Sequence, residues 1–269
     1  MKKLLPILGK RLVRGNMPSF VPERSEKELG LMRKSGKITA AALKKVIETA
    51  KPGVSLLELE DVADGEIRRL GGKASFKTVP GYRWATCLTV NDEVVHGLPR
   101  NIKLVEGDIL GIDLGAVYQG WHTDVSWSVL VKSQKEKDRF LEVGEKALGR
   151  AISQAREGKR LGDISAAIQR SIEGAGYSVV ENYIGHGIGR SPHEMPEISG
   201  IGQQGHGLKL KKGMTLAIEV IYTAGSGKVK VGSDGWTVMS VDGSLGGLFE
   251  MTVIVGKKVP EVITDWRSV

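Results

Sequence analysis

A chain of 269 residues and 29.0 kDa is long enough to bury about three quarters of its unfolded surface in one large core, or to divide into two small ones. Hydrophobic residues at 41% and charged residues at 26% exclude wholesale disorder, and no stretch approaches the ~18 uninterrupted apolar residues of a membrane helix. Lys and Arg outnumber Asp and Glu by 39 to 31, a net +8 that favours weak association with polyanions such as RNA, while the single cysteine, Cys87, excludes an intramolecular disulfide and a four-cysteine zinc module and points to a reducing, cytoplasmic setting.

The first 24 residues stand apart. Lys2, Lys3, Lys10, Arg11 and Arg14 all precede the first acid, Glu23, and Pro6, Pro18 and Pro22 oppose a continuous helix. The apolar run from Leu4 to Leu8 is broken by Pro6 and falls short of the ~7–15 residues of a secretory signal. Residues 1–24 read as a flexible basic extension, or as an electrostatic docking arm for RNA, ahead of a single domain over 25–269.

Ser25-x-x-Glu28 has the form of a capping box and opens a helix whose apolar face is Leu29, Met32, Ile38, Leu43, Val46 and Ile47, stopped by Lys51-Pro52-Gly53. Ser55-x-x-Glu58 opens a second, running to Leu70 before Gly71-Gly72. Segments rich in Val, Ile, Leu and Thr from about 73 to 131 read as strands and turns. The order then restarts. Ser133-x-x-Glu136 opens a helix to about Arg156, Gly162-Asp163 begins another that ends near Gly174, and further strands run to Val255.

The repeat extends to motifs. His96-Gly97-Leu98-Pro99 is followed by Leu104-x-x-Gly107 and Ile112-Asp113; His193-Glu194-Met195-Pro196 is followed by Leu210-x-x-Gly213 and Ile218-Glu219. Asp124-Val125-Ser126 leads into Val129-Leu130-Val131, and Glu250-Met251-Thr252 into Val253-Ile254-Val255. Two long halves of this kind imply one closed domain about a pseudo-twofold axis, with Asp113 matched to Glu219 and Asp124 to Glu250. Three of these acids, Asp113, Glu219 and Glu250, sit inside clearly apolar segments, where an unpaired charge is expensive, and four acids converging would repel without cations. Oxygen-rich sites with some imidazole suit Mn, Fe, Co or Zn, and two such ions about 3.5–4 Å apart would polarise a carbonyl and acidify a water. Of the five histidines, His186 lies in Gly185-His186-Gly187-Ile188-Gly189, where the glycines allow close approach of a ligand. His122 points to the same strand face as Asp124 and reads as supporting, and His206, in a glycine-rich loop, reads as surface.

The segments NDEVVHGLPR (91–100), GDILGIDLGAVYQGWHTDVSWSVLV (107–131), GHGIGRSPHEMP (185–196), KKGMTLAIE (211–219) and DGWTVMSVDGSLGGLFEMTVIV (234–255) closely resemble type I methionine aminopeptidases, over roughly residues 17–255. The resemblance implies the α+β pita-bread fold, two pseudo-twofold halves with a central antiparallel sheet flanked by helices. It implies removal of the initiator methionine from nascent chains, favouring a small second residue, by attack of a metal-activated water on the first peptide bond. It makes Asp113, Asp124, His186, Glu219 and Glu250 the ligands of two divalent ions (Co, Mn, Fe or Zn), with Asp124 and Glu250 bridging. His96 matches the histidine contacting the substrate amide, His193 the one stabilising the carbonyl oxygen, and Glu219 the proton shuttle. Tyr82, Cys87 and Trp236 fall where the methionine side chain is received. The implied partners are nascent polypeptide amino termini, with ribosome or RNA contact through the basic surface, no membrane, and a monomer. An X-Pro peptidase of the same fold and a non-catalytic RNA- or ribosome-binding relative are the alternatives. The chain departs from the family pattern at Val220, usually proline, at Leu248 and Met251, usually polar, and at Pro192, usually a large aromatic. Pro192 and Leu248 bear on the specificity pocket and the ligand surroundings.

Overall fold

The chain is described by a computed structural model over residues 21–132 and 135–269. The basic cluster Lys2 to Arg14 lies outside the described residues, and the helix start proposed at Ser133-x-x-Glu136 lies partly outside them.

Helix α1 (Glu26–Thr49) begins where the sequence predicts. The Ser25 N–H donates to Glu28 Oε2 at 2.8 Å, and Glu28 N–H donates back to Ser25 Oγ. The same reciprocal cap starts α2 (Leu56–Arg69), with Ser55 N–H on Glu58 Oε2 at 2.7 Å, so two otherwise unmet donors are satisfied at each helix. Leu29, Met32, Gly36, Leu43 and Val46 recur at helical spacing along the buried side of α1. Helices α3 (Lys135–Ile152) and α4 (Leu161–Glu173) form the second pair. Helix α3 stops four residues short of the expected Arg156. There Glu157 N–H bonds to Gly256 O at 2.8 Å and Arg156 bridges Gly256, so the backbone is drawn out of the helix to pair with the segment after the last long strand.

The strands are β1 (Lys73–Ala74), β2 (Thr86–Val90), β3 (Glu93–Val95), β4 (Ile109–Tyr118), β5 (Trp121–Leu130), β6 (Ser178–Val179), β7 (Gly185–Gly187), β8 (Glu194–Ile198), β9 (Thr215–Thr223), β10 (Val229–Val231), β11 (Val238–Ser240), β12 (Gly246–Ile254) and β13 (Glu261–Val262). Among the described residues, ten of them form one antiparallel sheet along the path β1-β4-β5-β12-β9-β7-β8, with β2 on β4, β6 on β9 and β13 on β12. A small β10-β11-β3 sheet stands beside it. The helix–helix–strands order thus occurs twice, and the long strands of the two halves meet at β5–β12.

Alternation along the long strands divides the sheet into two faces. Ile112, Leu114, Val125, Trp127, Ile218, Val220, Phe249 and Met251 are buried in the main core with Leu43 and Val46 of α1 and Ala147 and Leu148 of α3. Burying one such side chain contributes roughly 1.5–3 kcal/mol, so this face holds the helices to the sheet. The acids stand on the other face. A two-residue turn joins β4 to β5: Gln119 and Gly120 both have positive φ, 50° and 77°, which matches the twist of the flanking strands and pairs Tyr118 with Trp121.

Candidate metal centre and substrate pocket

Register brings the acids together. Cys87, Asp113, Ser126, Glu250 and Glu219 stand in one row across β2, β4, β5, β12 and β9, each directly opposite the next. One row away, Asp124 faces Gly115 on β4, and His186 faces Ala217 on β9. Asp124 is fastened to β12 by its N–H on Thr252 Oγ1 and by the Thr252 hydroxyl on its own carbonyl, both 2.8 Å. All five residues named as ligands, together with His96 and His193, line a single cavity.

Ligand atoms of Asp124, His186 and Glu250 lie within 4.8 Å of one another, and all three residues are buried. Asp113 and Glu219 stand on either side of Glu250 in its own row. The donor set is one that fits a cation. His186 Nδ1–H donates to the Gly187 carbonyl at 2.9 Å, which leaves the Nε2 lone pair facing Glu219 Oε1 at 3.9 Å and Glu250 Oε1 at 4.0 Å. Burial holds the His186 pKa down to about 4, so the ring is neutral and cannot itself neutralise these acids. Glu250 Oε1 is buried and has no hydrogen-bond partner among the described residues. Three acceptors therefore converge with no donor between them.

The acids feel the same deficit. Burial, opposed by the Ser126 hydroxyl, raises Asp113 to about 7; burial and then the Asp113 charge raise Glu219 to about 8. Asp124 is pushed well above its ordinary value by burial and then by Glu250, and Glu250 by burial and then by Glu219. Two unit charges ~4 Å apart at an effective dielectric of 20 repel by about 4 kcal/mol, so the cluster cannot ionise together unless positive charge enters it.

The Ser126 hydroxyl lies 2.8 Å from both Asp113 Oδ1 and Glu250 Oε2, tying the halves together across the row. It escaped the sequence reading although it shares Asp124's strand face two residues on. Phe76, in the short 3₁₀ turn Phe76–Thr78, and Tyr183 also line the cavity unanticipated, because both come from connecting segments without periodicity.

His186 and His193 meet at a tilt of 56°, 4.3 Å between ring centres, and His96 meets Tyr183 edge-on at 5.2 Å. Burial, then the neighbouring histidines, holds His193 well below the usual imidazole range. His96 is held in the left-handed region, φ 59°. His122 faces the acid side but is held by Ser75 Oγ at 2.7 Å and does not line the cavity, and His206 is exposed, as the sequence reading has them.

Tyr82, Cys87 and Trp236 come together beside the cavity. Tyr82 packs on Trp236 at 5.0 Å between ring centres and on Phe76 at 6.4 Å, and its hydroxyl donates to Thr86 O at 2.7 Å. Glu60, buried on α2, accepts from Ala85 and Thr86 N–H and so seats the start of β2, from which Cys87 projects.

Two expectations change. The glycines around His186 serve strand packing: a Cβ on Gly185 would run into Ala217 O, and one on Gly187 into Met195 O. The four departures also separate by face. Val220 and Met251 belong to the helix-facing core and do not line the cavity, Pro192 is half-buried and does not line it either, and only Leu248 is a wall of the site.

The fold and the buried acid–imidazole cluster define a metal-dependent hydrolase, and comparison with known proteins agrees. The model of metallopeptidase family M24 matches residues 30–257. Methionine aminopeptidase 1 of Bacillus subtilis is 40% identical over 242 residues, covering 90% of this chain and 98% of that protein. Methionine aminopeptidase 1 of Mycobacterium tuberculosis is 37% identical over 272 residues, covering 98% and 99%. The crystal structure of methionine aminopeptidase from Thermotoga maritima superposes with a TM-score of 0.89 at 39% identity, covering 91% of this chain and 99% of that one. The chain belongs to metallopeptidase family M24 and, within it, to the methionine aminopeptidases, with their pita-bread fold.

Proposed function

We propose that this chain removes the initiator methionine from nascent polypeptides, most readily when the second residue is small. The observation that carries the reading is the convergence of four acids and a neutral histidine on one sheet face, beside the Tyr82–Cys87–Trp236 pocket. Asp113, Asp124, His186, Glu219 and Glu250 would hold two divalent ions; Co, Mn, Fe and Zn all suit oxygen with one imidazole. Such ions, when bound, polarise the scissile carbonyl and acidify a water.

The remaining work falls to side chains. The apolar wall of Phe76, Tyr82, Cys87 and Trp236 receives the methionine and orients the amino terminus toward the acids. His96 contacts the amide at the scissile bond. His193, buried and neutral, donates to the carbonyl oxygen as negative charge develops there, where a water-poor setting strengthens the hydrogen bond. Glu219 passes the proton from the attacking water to the departing amine. Tyr183, Ile221 and Leu248 line the same cavity as the acids and take up space in it, which supports the preference for a small second residue.

Release of free methionine from Met-Gly-Met-Met, with Co, Mn, Fe or Zn added to metal-stripped protein, tests the reading. Metal-dependent loss of a single residue is expected. Folded protein that releases none with any of the four metals would overturn it. The +8 surface supports contact with ribosomal RNA in a cytoplasmic setting, the chain acting as a monomer. No helix among the described residues is long and apolar enough to cross a membrane.

A further inference from the structure

The turn that presents His193 is fastened by a residue from the far end of the chain. Glu194 folds its carboxylate back over the turn: Oε1 accepts the backbone N–H of Arg190 at 2.6 Å and of Ser191 at 3.1 Å. Its other oxygen, Oε2, is gripped by Arg24 Nη2, and the two side chains are only 9% and 19% exposed. Arg24 is itself held. Its N–H donates to Gly213 O at 3.0 Å, and its guanidinium lies 5.1 Å over the Trp121 ring, on which the Arg190 guanidinium also rests, at 4.1 Å. The next residue, His122, donates its N–H to Gly189 O at 2.7 Å. Glycine at 189 leaves room for this pair, because a Cβ there would run into the Arg24 guanidinium and approach the Glu194 carboxylate. Arg24 Nε has no hydrogen-bond partner among the described residues, so the buried cation is anchored through Glu194.

The turn that leads into the strand ahead of His96 is closed in a similar way. Glu93 Oε2 accepts the Val90 N–H at 2.9 Å, and Glu93 Oε1 takes Arg100 Nη2 at 2.7 Å. On the approach to each histidine a glutamate thus takes backbone N–H with one oxygen, one group at Glu93 and two at Glu194, and an arginine with the other. In the first half the arginine is seven residues away; in the second the pair spans 170 residues.

We propose that Arg24 is a positioning residue for the reaction: acting through Glu194, it sets the turn that aims His193 at the substrate carbonyl. This rests on the role given to His193 above. A buried carboxylate left without its cation relaxes toward water, and the turn it closes relaxes with it. A displacement of about 1 Å in a group that stabilises the transition state lowers turnover by up to ~100-fold.

The test is a double-mutant cycle of Arg24→Ala and His193→Ala, with methionine release measured at saturating metal and thermal unfolding confirming fold. Arg24→Ala is expected to lower kcat about 10-fold with KM within about twofold, His193→Ala to lower kcat more, and the double variant to match His193→Ala within about twofold. Arg24→Lys, which keeps the cation, should recover at least half of the lost kcat on a logarithmic scale. An unchanged kcat in Arg24→Ala overturns the proposal, as does an Arg24→Ala effect of equal size in the His193→Ala background, which would make Arg24 merely structural. Wild-type turnover in His193→Ala alone overturns the role of His193 and the proposal with it. Where Arg24→Ala does not fold, Glu194→Gln replaces it in the same cycle, with the same expected and overturning outcomes.

Discussion

In the first half of the sheet Asp113 stands opposite Ser126 and diagonal to Asp124; in the second, Glu219 stands directly opposite Glu250. The halves repeat in sequence but are out of register by one strand period at the site. The difference comes from the connections. The first pair of strands is joined by the Gln119-Gly120 turn, which sets its own register. The second pair is joined through the β10–β11 excursion, so its register is set by packing on β5 and the helices. A hydroxyl separates the first half's acid from its neighbour across the row, whereas nothing separates the second half's pair, which depends more heavily on a cation.

The largest effect should come from the second half. Glu250→Gln is expected to lower metal-dependent methionine release by on the order of 10³-fold or more, through the loss of a carboxylate proposed to hold metal. The same change should steady the metal-free protein at alkaline pH, and the sign follows from the shifts. Asp113 and Glu219 have folded pKa values raised to about 7 and about 8, so they bind protons more tightly folded than unfolded, and their stabilisation is lost as pH rises through those values. His122 and His186, lowered to about 4, act oppositely, but only below the ordinary histidine value of 6.5. Metal-free wild-type protein should therefore lose stability between about pH 6.5 and 8, measured by denaturant unfolding, and loading with metal should flatten the slope. A metal-free stability that rises across that window would contradict the cluster described above.

A smaller effect is expected where the halves are tied. Ser126→Ala should weaken metal binding by about 10–100-fold in calorimetric titration while leaving kcat at saturating metal closer to wild type. Equal affinities would mean that the hydroxyl between Asp113 and Glu250 is dispensable.

The smallest effects on catalysis distinguish the two faces. Met251→Ala, on the helix side, should cost about 2–4 kcal/mol of stability and leave kcat unchanged. Leu248→Gln, on the cavity side, should shift the ratio of kcat/KM between Met-Gly and bulkier Met-Xaa peptides severalfold, with little change in Tm. Reversed results would put Met251, not Leu248, in the wall of the site.

Much of this was legible in the residues. Ser25-x-x-Glu28 and Ser55-x-x-Glu58 satisfy backbone donors within four residues, so they act wherever the chain is placed. The acids were conspicuous because Asp113 and Glu219 interrupt apolar strands. Period-two alternation alone assigns Val220 and Met251 to the face away from Glu219 and Glu250, and it would have found Ser126. What tertiary structure decided is of another kind: the register of β9 on β12, the meeting of Phe76 and Tyr183 at the cavity, and the reach of Arg24 across 170 residues to Glu194. Caps, turns and alternation are local, set by hydrogen bonds and sterics among neighbours. Those other features depend on which distant surfaces exclude water from one another, and no short stretch of the chain contains that information.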